Sequence, residues 1–150
     1  MEEAIKQFAP MIKGMYARQG ALAKAFYETS GNEALPKISE VMGKAGMESA
    51  NASIAQGMAR SMKAIGEKYE MMEKMLEVGL EIIDLSDDMI HFKLSQCTYG
   101  LEETDRELCE AMMAEIKTMF STSLEQEVEM KIPKTVAAGD EYCEVIITKK

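Results

Sequence analysis

Apolar residues recur at steps of three and four along the first half of the chain and alternate along the second, with the change falling near Val78. From Glu2 to about Leu76 the pattern is helical, punctuated by Pro10, by Ser30-Gly31-Asn32, by Pro36 and by Gly43 and Gly46. Thr29, Ser30 and Asn32 supply capping chemistry beside a glycine suited to end a helix, which predicts a first helix over about 11–29 and a second from about 34. Met58, Met62, Ile65, Tyr69, Met72 and Leu76 then stack on one helix face. Such a stripe has to be covered, either by a sheet or by the same stripe of a second copy. Gly57 and Gly66 each cost about 1 kcal/mol relative to alanine inside an exposed helix, so they mark a close neighbouring backbone or breaks in the helix.

The second half predicts strands. Residues 78–85, the turn-forming Ser86-Asp87-Asp88 and residues 89–96 read as a hairpin. In its second strand Ile90, Phe92 and Leu94 alternate with His91, Lys93 and Ser95, so one face is expected buried and the other polar. Thr104-Asp105-Arg106-Glu107 has the pattern of a capping box, and Leu108, Met112, Met113, Ile116, Met119 and Phe120 form the apolar face of a helix over about 105–121. Strands follow at 125–132 and 142–148, separated by Pro133 and by the stretch 137–140. The expectation is an α+β fold in one domain, with a helical layer at 1–76 and a β-β-α-β-β portion at 78–149. The sheet would be antiparallel with about four strands and one inserted helix.

Charge narrows the partners. Lys and Arg total 17 against 26 Asp and Glu, a formal net charge of -9, which repels nucleic acid and anionic membrane surfaces. The opening Met1-Glu2-Glu3-Ala4-Ile5-Lys6 has neither the basic start nor the apolar run of a secretory signal, so a cytoplasmic location is expected. The 3 cysteines, an odd number, argue against a disulfide framework and for thiols that are reduced, metal-bound or buried. The 15 methionines and absent tryptophan point to an interior of flexible thioethers, either as ordinary core filler or as adaptable lining for a ligand.

Few residues are equipped for chemistry. Cys97 follows the hairpin, Cys109 lies in the first turns of the capped helix and Cys143 opens the last strand, an order that lets all three meet at one end of the sheet. A helix N-terminus favours a thiolate at Cys109, as metal ligand or nucleophile, although gaps this long are not those of a zinc knuckle and three independent buried thiols satisfy the spacing equally. His91, the single histidine, is either a plain surface residue or the imidazole of any acid–base mechanism or metal site. The acids around 102–110 read as capping electrostatics and solvated surface, and Gly139-Asp140 as a turn whose aspartate is also placed to orient a site.

Three segments carry a family resemblance. Cys97-Thr98-Tyr99-Gly100-Leu101, Glu107-Leu108-Cys109-Glu110 and the ending Gly139-Asp140-Glu141-Tyr142-Cys143 resemble the cysteine segments and Gly-Asp-x-x-Cys strand of the L-2-amino-thiazoline-4-carboxylic acid hydrolase-like family, over roughly 89–149. The same portion is similar to the 4-vinyl reductase domain, which implies an α+β fold that binds hydrocarbons, phenols or tetrapyrrole precursors. Some members of that group bind zinc through three cysteines and a glutamate. Carried onto this chain, the first and last cysteines fall on Cys109 and Cys143, the middle one on Thr135 and the glutamate on Ile132, leaving Cys97 as the replacement thiolate for a Cys97–Cys109–Cys143 zinc site.

These readings converge on a small-molecule-binding module for an apolar or heterocyclic ligand, with Met58, Met62, Tyr69 and Met112 as lining. One alternative is a hydrolase opening a small C–N or C–S heterocycle, with Cys97, Cys109 or His91 in catalytic roles. The other is a dimeric scaffold built on the methionine stripe, with neither pocket nor site.

Overall fold

The computed structural model describes residues 2–150. Helix α1 spans Glu2–Ser30, a 3₁₀ turn covers Gly31–Glu33, and α2 spans Ala34–Ala55. Then come α3 (Met62–Met75), β1 (Leu80–Leu85), β2 (Met89–Leu94), α4 (Arg106–Met112), α5 (Ala114–Leu124), β3 (Val128–Lys134) and β4 (Cys143–Lys149). The four strands make one antiparallel sheet in the order β1-β2-β4-β3, so the fold is α+β with the expected helical insertion between the two strand pairs. That insertion is divided at Met113, where ψ is -6° and α4 gives way to α5.

Strand alternation sets the core. On β2, Ile90, Phe92 and Leu94 face inward and pair across the ladder with Ile147, Val145 and Cys143 of β4. Tyr69 of α3 and Phe120 of α5 close over them, with ring centroids 5.2 Å from Tyr69 to Phe92 and 6.3 Å from Tyr69 to Phe120. The stripe of α3 is thus covered by the sheet of its own chain: Met62, Ile65, Tyr69 and Leu76 are buried and present no surface to a second copy.

The two glycines flanking that stripe meet different fates. Gly57 ends the preceding helical run with φ at 82°, leaving Met58 outside α3, which begins at a Ser61 cap whose hydroxyl accepts from the Ala64 N–H at 3.1 Å. Gly66 stays helical because Leu85 and Ile90 occupy the space of a side chain: a Cβ there would lie 2.6 Å from Leu85 Cδ1.

Three sequence-based boundaries shift. Helix α1 begins at Glu2, not near 11, and runs through Pro10. The ring removes one ladder hydrogen bond, yet Ile5, Ala9, Ile12 and Tyr16 are all partly buried and hold both flanks of the proline against the body. The capping box is not formed: the cap position is Asp105, and Thr104 Oγ1 donates instead to the Leu101 carbonyl at 2.6 Å. Strand β3 extends through Pro133, which an edge strand tolerates because its missing N–H faces no partner, and the ladder to β4 is irregular between Lys131 and Lys134.

The outer face of α1 stays bare, with Phe8, Met11, Met15, Leu22 and Phe26 exposed. No helix among the described residues is long and apolar enough to cross a membrane.

Candidate functional site

Two small cavities of about 40 Å³ each lie back to back in the interior, the first between the helices and the sheet and the second among the helices alone. Tyr16, Tyr69, Glu73 and Ile116 line both and form the partition. The first cavity reaches the carboxyl end of β2 and holds all three cysteines in its wall, together with Leu94, Leu101, Ile132 and Val145. The second runs toward α2 and is walled by Met58, Met72, Met119, Ser53, Lys68 and Ser123.

At the thiol end the three cysteines line one wall, an arrangement the order of elements allowed alongside independent buried thiols. Cys109 sits in α4 and Cys143 at the start of β4, both buried, while Cys97 lies half-buried in the loop after β2. Thr135 stands between the two buried thiols: its hydroxyl donates to Cys109 Sγ at 3.2 Å and accepts from the Ala137 N–H at 3.2 Å, with Cys143 Sγ at 3.8 Å. The Val136 N–H donates to Cys143 Sγ at 3.4 Å. Asp140 anchors this corner by accepting from the Thr135 N–H at 2.9 Å, and Gly139 takes the left-handed φ of 93° that the turn requires. Gly139-Asp140 therefore both turns the chain and orients Thr135.

A structural zinc site needs four donors held together. The positions aligned with the family's ligand set supply two thiols, a hydroxyl already committed to the thiols, and the hydrocarbon of Ile132. Among the described residues, no three or more His, Cys, Asp or Glu side chains are grouped to hold a metal. Burial pushes Cys109 up to about 11 and raises Cys97, the direction opposite to the thiolate expected at a helix terminus. His91 lies on the other face of the sheet, its Nε2 2.8 Å from Glu144 Oε1, and takes no part in the cavity wall.

Of the lining residues read from sequence, Tyr69 borders both cavities and Met58 the second, whereas Met62 and Met112 are core residues that line neither.

The groups that sequence reading missed are at the partition. Glu73, in the last turn of α3, is 6 % exposed. Thr98 Oγ1 donates to its Oε2 at 2.9 Å, and burial lifts its carboxyl from 4.5 to about 7. Glu115 of α5, also raised by burial, accepts from the phenol of Tyr99. Tyr16 meets Tyr99 edge to face at 5.8 Å, and its own phenol is pushed up to about 12, first by burial and then by the charges of Glu115 and Glu73. Two glycines permit this. A Cβ on Gly20 of α1 would fall 1.8 Å from the Tyr99 carbonyl oxygen, and one on Gly46 of α2 would fall 2.0 Å from that of Glu115. Each glycine lets a helix press on the backbone of one partner in the Tyr99–Glu115 hydrogen bond. The available signal was a glutamate four residues after Tyr69 on an otherwise apolar stripe.

Comparison with protein-family models gives no match, and comparison with curated proteins gives none either. Solved structures do share the fold. The phenol-responsive sensory domain of the transcription activator PoxR, determined with phenol, superposes with a TM-score of 0.67 at 14% identity, over 89% of this chain and 74% of that one. Trafficking protein particle complex subunit 3 from Naegleria fowleri, covalently bound to palmitic acid, superposes with a TM-score of 0.67 at 13% identity, over 93% of this chain and 95% of that one. At such identities the likeness is one of fold.

Proposed function

We propose that this protein binds a small, mostly apolar molecule between its helical layer and its sheet, as a sensing or carrying module of the 4-vinyl reductase-like kind. The observation that carries the reading is the pair of adjoining cavities inside the core, apolar over most of their wall and sharing a buried carboxyl. Two proteins of the same fold hold a phenol and a fatty acid, which supports the reading at the level of fold.

The cavities as they stand are about the size of single waters and together smaller than the roughly 150 Å³ that admits benzene. A ligand therefore enters by displacing wall side chains and merging the two spaces. The wall suits this: Met58, Met72, Met113 and Met119 are unbranched and readily change rotamer. The methionine count that stands out in the composition thus has a use beyond core filling.

The test is a thermal-shift series with phenol, indole and decanoic acid, paired with native mass spectrometry of untagged protein. Binding raises the melting temperature with ligand concentration and adds the probe's mass without product. Melting curves unmoved by all three, with no co-purified small molecule, would remove the reading.

A further inference from the structure

We infer that the ligand carries a protonated amine on an apolar body, and that Glu73 is the group that recognises it, with Tyr16, Tyr69 and Tyr99 around the cation. This inference rests on the binding reading above and narrows it.

The first ground is an imbalance of charge. Two carboxyl groups, Glu73 and Glu115, face the interior, and among the described residues neither forms an ion pair. The cation that lines the second cavity, Lys68, is hydrogen-bonded to Ser53. Glu73 receives one hydroxyl hydrogen bond, from Thr98 on Oε2, and no side-chain donor on Oε1. A buried carboxyl whose one side-chain donor among the described residues is a neutral hydroxyl gains a charge-assisted hydrogen bond from a cationic donor.

Aromatic rings are the second ground. Tyr16 and Tyr69 form the partition with Glu73, and Tyr99 stands beside them in the first cavity. Phenol faces attract a desolvated ammonium, so an acid among three tyrosines is amine-recognition chemistry.

The third ground is independent of both. Ser123 Oγ, in the wall of the second cavity, is fully buried and is the one buried side-chain polar atom among the described residues with no hydrogen-bond partner. An orphan hydroxyl of this kind calls for a polar visitor in that cavity.

The pH dependence follows. The titratable groups facing Glu73 are Glu115 from α5, Tyr16 from α1, Tyr69 from its own helix, Tyr99 and Cys97 from the loop after β2, Cys109 from α4, Cys143 from β4 and Lys68. Burial raises Tyr16, Tyr69, Tyr99, Cys97 and Cys109, which keeps them neutral through the neutral range. Glu73 ionises near 7 beside Glu115, which burial also raises, so negative charge enters the site as pH rises and amine binding tightens from pH 5.5 to 8, where an alkyl ammonium is still charged.

The experiment compares 2-phenylethylamine with its neutral isostere 2-phenylethanol and with ethylbenzene, by calorimetry on the intact protein at pH 5.5 and pH 8. The amine is expected to bind about tenfold or more tighter than the alcohol at pH 8, the scale of one charge-assisted hydrogen bond, and to lose most of that advantage at pH 5.5. Glu73→Gln should abolish the preference of the amine over the alcohol at pH 8. Because the comparison of probes on the wild-type protein needs no variant, it stands even if Glu73→Gln folds poorly. Equal or weaker binding of the amine alongside measurable binding of the neutral probes would overturn the amine assignment and leave the apolar-ligand reading in place. Failure of all three to bind would overturn both.

Discussion

At one end of the interior, Cys109, Cys143 and Thr135 satisfy one another; at the other, Glu73 and Glu115 sit in comparably apolar surroundings with hydroxyl partners only. The first arrangement is closed. Burial raises the Cys109 thiol, the one hydroxyl is shared between the two sulfurs, and the turn at Gly139-Asp140 fixes the cluster from outside. The second is open, holding spare acceptor capacity at a place where burial makes a charge costly. The contrast separates two kinds of buried polar cluster. The one that looks most chemical in the sequence, the cysteines, is built like structure, and the one that looks like ordinary surface acid is built like a recognition site.

Four expectations break or sharpen that contrast. The largest concerns Glu73. Its native carboxyl titrates near 7 against 4.5 in the unfolded chain, so the native state binds the extra proton between those values. That contribution to stability is complete below pH 4.5 and is lost as pH rises through 7. Glu73→Gln removes the loss, so at pH 8 chemical denaturation should find the variant more stable by on the order of 3 kcal/mol, and at pH 4 little changed. A variant destabilised at pH 8 would mean the carboxylate is well served after all.

Next is the reactivity of Cys109. With its thiol near 11, alkylation by iodoacetamide at pH 7 should run about a hundredfold slower than at an unperturbed thiol and accelerate steadily up to that pH. Fast labelling followed by peptide mapping would reveal an activated thiolate and reopen the nucleophile reading.

Thr135→Val tests the closed end from the opposite direction. It strips Cys109 of its donor and leaves the buried Ala137 N–H unsatisfied, a loss of about 2 kcal/mol by denaturant titration. Thr135 and Glu73 substitutions thus carry opposite signs at pH 8. The smallest effect belongs to His91→Ala: its pair with Glu144 is on the outer sheet face, so stability should change by under about 1 kcal/mol and probe binding not at all.

Much of the fold was legible because its signals are local. The alternation of Ile90, Phe92 and Leu94 named the inward face of β2, and the stripe from Met62 to Leu76 found its sheet. The helix boundaries that moved depend on tertiary support: Pro10 is carried by flanking residues packed on the body, and Gly57 turns left-handed in open space while Gly66 stays helical against Leu85 and Ile90. The site was half legible. Cysteines are rare enough that three falling at element ends suggested a meeting point, and Tyr69 and Met58 were placed by helical spacing. Glu115 had no signal of its own, and the one for Glu73 was its place four residues after Tyr69 on an apolar stripe. Their enclosure arises from the close approach of α1 and α2, licensed by Gly20 and Gly46 across long sequence distances. Met62 and Met112 are buried and line neither cavity, methionine being equally suited to a sealed core and to a cavity wall.

The central claim, that a small molecule enters the core between helices and sheet, is tested most directly by methyl NMR of protein labelled at its methionines, titrated with 2-phenylethylamine and then with ethylbenzene. Resonances of Met58, Met72, Met113 and Met119, which wall the two cavities, should shift and saturate together, while those of the exposed Met11, Met15 and Met47 stay in place. Shifts confined to the exposed methionines of α1 and α2 would put the ligand on the surface and contradict the account.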